Sequence, residues 1–116
     1  MSAFNRIGLT HCGASQALMN GILRGEWGFN GKLITDSVKS AQYFLPSECL
    51  MAGNDQMLGG GNSSAAWGYS VDVFENDPAL QAQLRESYHR QLYTAINSNR
   101  MNGITEESSV ADEYSS

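Results

Sequence analysis

Positive charge is scarce in this chain: seven Lys and Arg stand against twelve Asp and Glu, for a formal charge of -5 over 116 residues. The few basic residues form no cluster, so no phosphate-tracking surface is expected and nucleic acid is a poor candidate for the partner. Cysteine is nearly as rare. Cys12 and Cys49 lie far apart and lack a second pair at metal spacing, so neither a zinc site nor a disulfide framework is signalled. Both read as ordinary thiols. The two histidines, His11 in a loop and His89 on a helix face, have no companion ligands at useful spacing, and no metal is expected. No run reaches the roughly 18 apolar residues of a membrane span. The opening MSAFNRIGLTHCG lacks the charged region and unbroken apolar stretch of a signal peptide, which leaves the compartment open. Gly59, Gly60 and Gly61 are not followed by Lys-Ser/Thr, so a tight turn or a flexible link explains them better than a phosphate loop.

What is present suffices for one modest core. At 41% hydrophobic content, the chain can form one domain or part of one. Residues 1 to 7 read as a short strand, followed by a loop around Gly8, Thr10 and Gly13. Ser15 is a plausible cap for QALMNGILRGEW, where Leu18, Met19, Ile22 and Leu23 recur at helical spacing and Gly28 supplies a stop. KLITDSV has the length and β-branched content of a strand buried on both faces, which predicts a parallel sheet. Pro46 fits the first turn of a short helix over SECLMAG, closing at Gly53 before another brief strand at Asp55 to Leu58.

Asp77 and Pro78 then announce a helix by cap and first-turn rules. Leu80, Leu84, Tyr88, Leu92 and Ile96 form an apolar stripe along it, and Asn102 and Gly103 end it. Glu106, Glu107, Asp112 and Glu113 mark residues 104–116 as an acidic tail that should be mobile or a linker. The alternation of strands and helices without a hairpin signal predicts βα units in a parallel sheet or a barrel segment. Three such strands leave apolar edges open, and open edges predict self-association of the isolated chain.

Catalytic groups in such folds collect at the carboxyl ends of strands, where Asp36 follows Leu33, Ile34 and Thr35. By position alone, an Asp there serves as often as a helix cap or a loop hydrogen-bonding group. The stretch LRGEWGFNGKLITDS resembles the segment of family 3 glycoside hydrolases in which Leu-Arg-x-Glu-Trp-Gly-Phe-x-Gly precedes the strand bearing the nucleophile. MSAFNRIG resembles the preceding strand with its Ser-Tyr-Asn signature, MAGNDQMLGG the Ala-Gly-x-Asp segment, and LRESYHRQLYTAINSNRMNG the closing helix. The resemblance covers residues 1–103 and is densest from Leu23 to Asp36.

The resemblance implies an α/β fold: part of a (β/α)8 barrel, its last three strands with their helices plus the closing helix. A complete barrel needs roughly 250 residues, so the remainder and an acid/base-bearing domain would be missing partners. It further implies a retaining hydrolase of terminal β-linked sugars, β-glucosidase-like, with Asp36 as nucleophile and no metal or organic cofactor. That course needs two carboxyl groups about 5 to 5.5 Å apart, one forming the glycosyl-enzyme intermediate and the other serving as acid and then base. No residue of this chain is assigned the second role, so the isolated chain is expected to be inactive.

Two departures from the pattern bear on substrate contact. Ser37 stands where the family usually carries an aromatic residue, and Phe4 where many members carry a Tyr, which removes a hydroxyl near the nucleophile. They favour a rival reading, a non-catalytic structural or interaction module. Trp67, in a Gly, Ser and Ala context after the last strand, could stack on a sugar, whereas Trp27, at a helix end, is expected to pack against the barrel. Arg6 could reach a sugar pocket or bridge to a loop, and Asp55 is expected to tie loop amides together.

Overall fold

A computed structural model describes residues 1–37, 45–59, 75–99 and 101–103. Trp67, Val38, Gly60, Gly61 and the acidic tail 104–116 lie outside the described residues. In chain order the elements are β1 (Arg6–Ile7), β2 (Thr10–His11), a 3-10 turn (Cys12–Ala14), a π-helix (Ala17–Glu26), β3 (Ile34–Ser37), α1 (Pro46–Met51), β4 (Gln56–Leu58) and α2 (Pro78–Ile96).

The partial barrel is not what these residues build. They form three helices and two separate two-stranded sheets, β1 with β2 and β3 with β4. The first strand, expected to extend a parallel sheet, turns back on itself instead. Gly8 takes a φ of 60°, a left-handed conformation open to glycine at no steric cost, and the chain reverses into an antiparallel hairpin with Arg6 opposite His11. The opening segment still touches the second sheet, because the Ser2 amide donates to the Ile34 carbonyl at 2.8 Å. Only β3 and β4 run parallel, with Ile34 opposite Gln56 and Ser37 opposite Leu58. Four residues of β3 thus stand against three of β4, and the irregularity falls on the segment that holds Asp36.

Local signals place the helices well. The Asp77 side chain accepts from the Ala79 and Leu80 amides at 2.9 and 3.1 Å, capping α2 as its residue type predicts. Pro46 opens α1, and Gly53, at a φ of 110°, lets the chain leave it. The segment after Ser15 winds wider than an α-helix: the Trp27 amide reaches back five residues to the Ile22 carbonyl. Gly25 permits this, since a Cβ there would press on the Asn20 carbonyl oxygen at 3.2 Å.

Two packing expectations fail. Along α2 only Leu80 of the predicted stripe is buried, while Tyr88, Leu92 and Ile96 are about 60% exposed. The helix instead docks through Ser87, Arg90 and Gln91, polar groups whose partner is Asp55. Trp27, expected to pack, caps the π-helix and is 73% exposed. Among the described residues the buried apolar side chains are Cys12, Met19, Leu33, Cys49, Leu50, Ala52 and Leu80. Ser2, His11, Thr35, Asn54, Asp55 and Ser87 are buried beside them, so hydrogen bonds share the work of holding the fold with apolar burial.

Candidate functional site

Asp36 lies near the end of β3, half-buried, and its Oδ1 accepts from the Ser37 amide at 2.6 Å. That contact turns one carboxylate oxygen toward the strand's own backbone. Thr35, just before it, is fully buried and accepts from the Leu58 amide at 3.0 Å, so the strand is pinned on one side of Asp36. The hairpin supplies the neighbouring group. His11 is buried, its Nδ1 accepts from the Gly13 amide at 3.1 Å, and its ring meets the Phe4 ring edge-on at 6.2 Å.

Burial pushes the His11 imidazole below its ordinary value of 6.5. The Phe4 carbonyl opposes this by accepting a hydrogen bond, Arg6 adds to the lowering, and Asp36 opposes it more weakly. Phe4, His11 and Asp36 therefore share one neighbourhood, with Ser37 adjoining. Sequence reasoning singled out Phe4, Asp36 and Ser37 but left His11 as a loop residue; only the hairpin brings its ring to this place.

The depressed His11 value has a consequence for stability. The unfolded chain takes up the proton more readily than the folded one, so the His11 contribution is complete above pH 6.5 and shrinks as the pH falls below it. Thermal melts at pH 7.5 and 5.5 should show a drop in the wild type that is smaller in His11→Gln. An equal drop in both would remove His11 as its source.

Just ahead of β3, at Leu33, stands a denser polar centre. Asp55, its side chain fully buried, pairs through Oδ2 with Arg24 at 2.8 Å and through Oδ1 with Arg90 at 2.9 Å. Oδ2 also accepts from the Leu33 amide at 2.7 Å, and the Asp55 carbonyl accepts from Ser87 Oγ and Gln91 Nε2. Arg24 donates further to the Gly31 and Gly53 carbonyls at 3.1 and 2.8 Å. Burial lowers the Arg24 guanidinium from its usual range, and Asp55 counters this more than Arg90 reinforces it. The expectation that Asp55 ties amides together understates it: one carboxylate joins the π-helix, the β3–β4 sheet and α2. Neither arginine carried a sequence signal for this role, because their partner lies 31 and 35 residues away.

An open groove of about 520 Å³ runs between the hairpin and α1, with Arg6, Thr10, His11, Gln16 and Glu48 among its walls. Arg6, for which a sugar pocket and a loop bridge were both open, donates to the Leu9 carbonyl at 2.8 Å while lining this groove. Among the described residues no group of three His, Cys, Asp or Glu side chains could hold a metal ion. Both cysteines are buried, and burial raises the Cys49 thiol to about 12, leaving it protonated at neutral pH.

The arrangement offers a half-buried carboxylate at the end of β3, one oxygen of which is held by the Ser37 amide, with the buried His11 ring in the neighbouring hairpin. Compared with family models, curated proteins and solved structures, the chain finds no match in any of the three.

Proposed function

We propose that this chain carries the nucleophile-bearing segment of a retaining, β-glucosidase-like glycoside hydrolase of family 3, with Asp36 as the attacking group. The observation that carries the reading is the ordered run from Leu23 to Asp36, which sets a carboxylate near the end of a strand in a parallel pair. Asp36 would attack the anomeric carbon of a terminal β-linked sugar, and a carboxylic acid supplied from outside this chain would protonate the leaving oxygen. No cofactor takes part in that course.

A 2-fluoro glycoside with a very good leaving group tests this, since it needs little help from an acid. Intact mass and peptide mapping should find the adduct on Asp36 and none in Asp36→Asn. Labelling on another residue, or undiminished labelling of Asp36→Asn, defeats the reading.

A second reading, a non-catalytic interaction module, has its own observation. One Asp36 oxygen is engaged by the Ser37 amide, and Tyr88, Leu92 and Ile96 present an apolar strip to solvent. A folded wild-type chain that takes no label favours this module over the hydrolase.

A further inference from the structure

We infer that Asp55 is the positioning residue for Asp36, setting which face of β3 the carboxylate occupies; its catalytic meaning rests on the nucleophile reading above. In a strand, a slip of one residue turns every side chain to the opposite face. A regular ladder prevents such a slip by repeating the same hydrogen bonds along its length. The β3–β4 ladder is not regular, because the register shifts between Ile34 and Ser37, the interval that contains Asp36. Pairing beyond the shift therefore does not by itself fix the phase of the strand before it.

Leu33 supplies a fixed point at the start of the strand, ahead of the Ile34–Gln56 pair and the Thr35 contact with the Leu58 amide. Asp55 Oδ2 accepts from the Leu33 amide at 2.7 Å, and the Asp55 amide donates to the Leu33 carbonyl at 2.8 Å, so one residue holds both backbone groups of Leu33. The Gln56 amide adds a second donor to that carbonyl at 3.2 Å. Asp55 can act as a fixed point because it is itself immobilised, through Arg24 from the π-helix and through Arg90, Ser87 and Gln91 from α2. Three residues beyond this clamp, Asp36 enters the irregular segment with its orientation already chosen.

Amide spectra and hydrogen exchange of the 116-residue chain test this in wild type, Asp55→Ala and Arg90→Gln. The Ser37 amide is the reporter, since it donates to Asp36 Oδ1. In Asp55→Ala its resonance should move, and labelling of Asp36 by the 2-fluoro glycoside should slow by about 10²-fold. Arg90→Gln removes one of the contacts that immobilise Asp55 but leaves the Leu33 hydrogen bonds in place, so it should move the Ser37 resonance and slow labelling by clearly less than Asp55→Ala does. Equal displacement of Ser37 in both variants, or in neither, overturns the inference. If Asp55→Ala does not fold, exchange in the wild type decides: the Leu33 amide should be protected at least as well as Leu58. A Leu33 amide exchanging more than about tenfold faster shows that the strand is held without the clamp. Failure of the wild type to take label shows that this chain is not a competent site, and the amide data still decide the role of Asp55.

Discussion

Asp55→Ala should lower the unfolding free energy by about 3–5 kcal/mol, the usual cost of removing one partner from a buried ion pair. The loss is large because of what remains. Arg24 and Arg90, whose side chains are 11% and 17% exposed, would face each other without their carboxylate, and the Leu33 amide would lose its acceptor. A small domain has about 5–15 kcal/mol in total. Among the described residues few apolar side chains are buried, which leaves little there to offset the change. Urea titration followed by circular dichroism measures it directly. Asp55→Asn should fall between wild type and Asp55→Ala, because an amide oxygen can still serve Leu33 while the charge pairing is gone. A loss of under about 1 kcal/mol for Asp55→Ala would place the pair in the class of solvent-screened bridges and refute the central role argued for it.

Asn54→Asp, a change of one atom in shape, is expected to destabilise by a similar amount, about 3–5 kcal/mol at neutral pH, because it leaves a buried charge unpaired. Asn54 is fully buried, and its Nδ2 donates to the Gly13 carbonyl at 2.6 Å and to the Cys49 carbonyl at 3.0 Å. Those two bonds tie the 3-10 turn to the end of α1. A carboxylate in that place would turn a negative oxygen toward two carbonyl oxygens and could donate to neither. Acidification should restore much of the loss, since a protonated carboxyl regains one donor. The sign is thus opposite to that of the His11 effect, and melts of Asn54→Asp and wild type across pH 7 to 4 should converge toward the acid end. Parallel curves would show that the two carbonyls are not what Asn54 serves.

These two residues show where reading the sequence stopped. Asp55 and Asn54 sit side by side in a loop between a short helix and a short strand; Asp55 was expected to tie loop amides together, but nothing in the local pattern pointed to its two arginines or to a role for Asn54. Their importance comes from partners 22 to 41 positions away, a separation at which side-chain type carries no positional information. The candidate site was legible in part. Asp36 stood out through its place after an apolar run and through the resemblance around it, whereas His11 emerged only when a hairpin closed at Gly8.

What the sequence by itself determined is local: the Asp77 cap and Pro78 start of α2, the Pro46 opening of α1, the helix after Ser15, and the strand leading to Asp36. Each depends on interactions within a few residues, which neighbours in the chain specify directly. Tertiary structure decided the rest. An apolar stripe on α2 predicted burial, yet the helix turned its polar side inward because a buried carboxylate needs donors more urgently than an aliphatic stripe needs cover. Alternating elements predicted a continuous parallel sheet, yet a two-residue turn at a left-handed glycine folded the first strand away from it. Propensity and periodicity say which segments become helix or strand; which faces meet is settled by long-range satisfaction of buried polar groups, and that information lies in pairs of residues far apart in the chain.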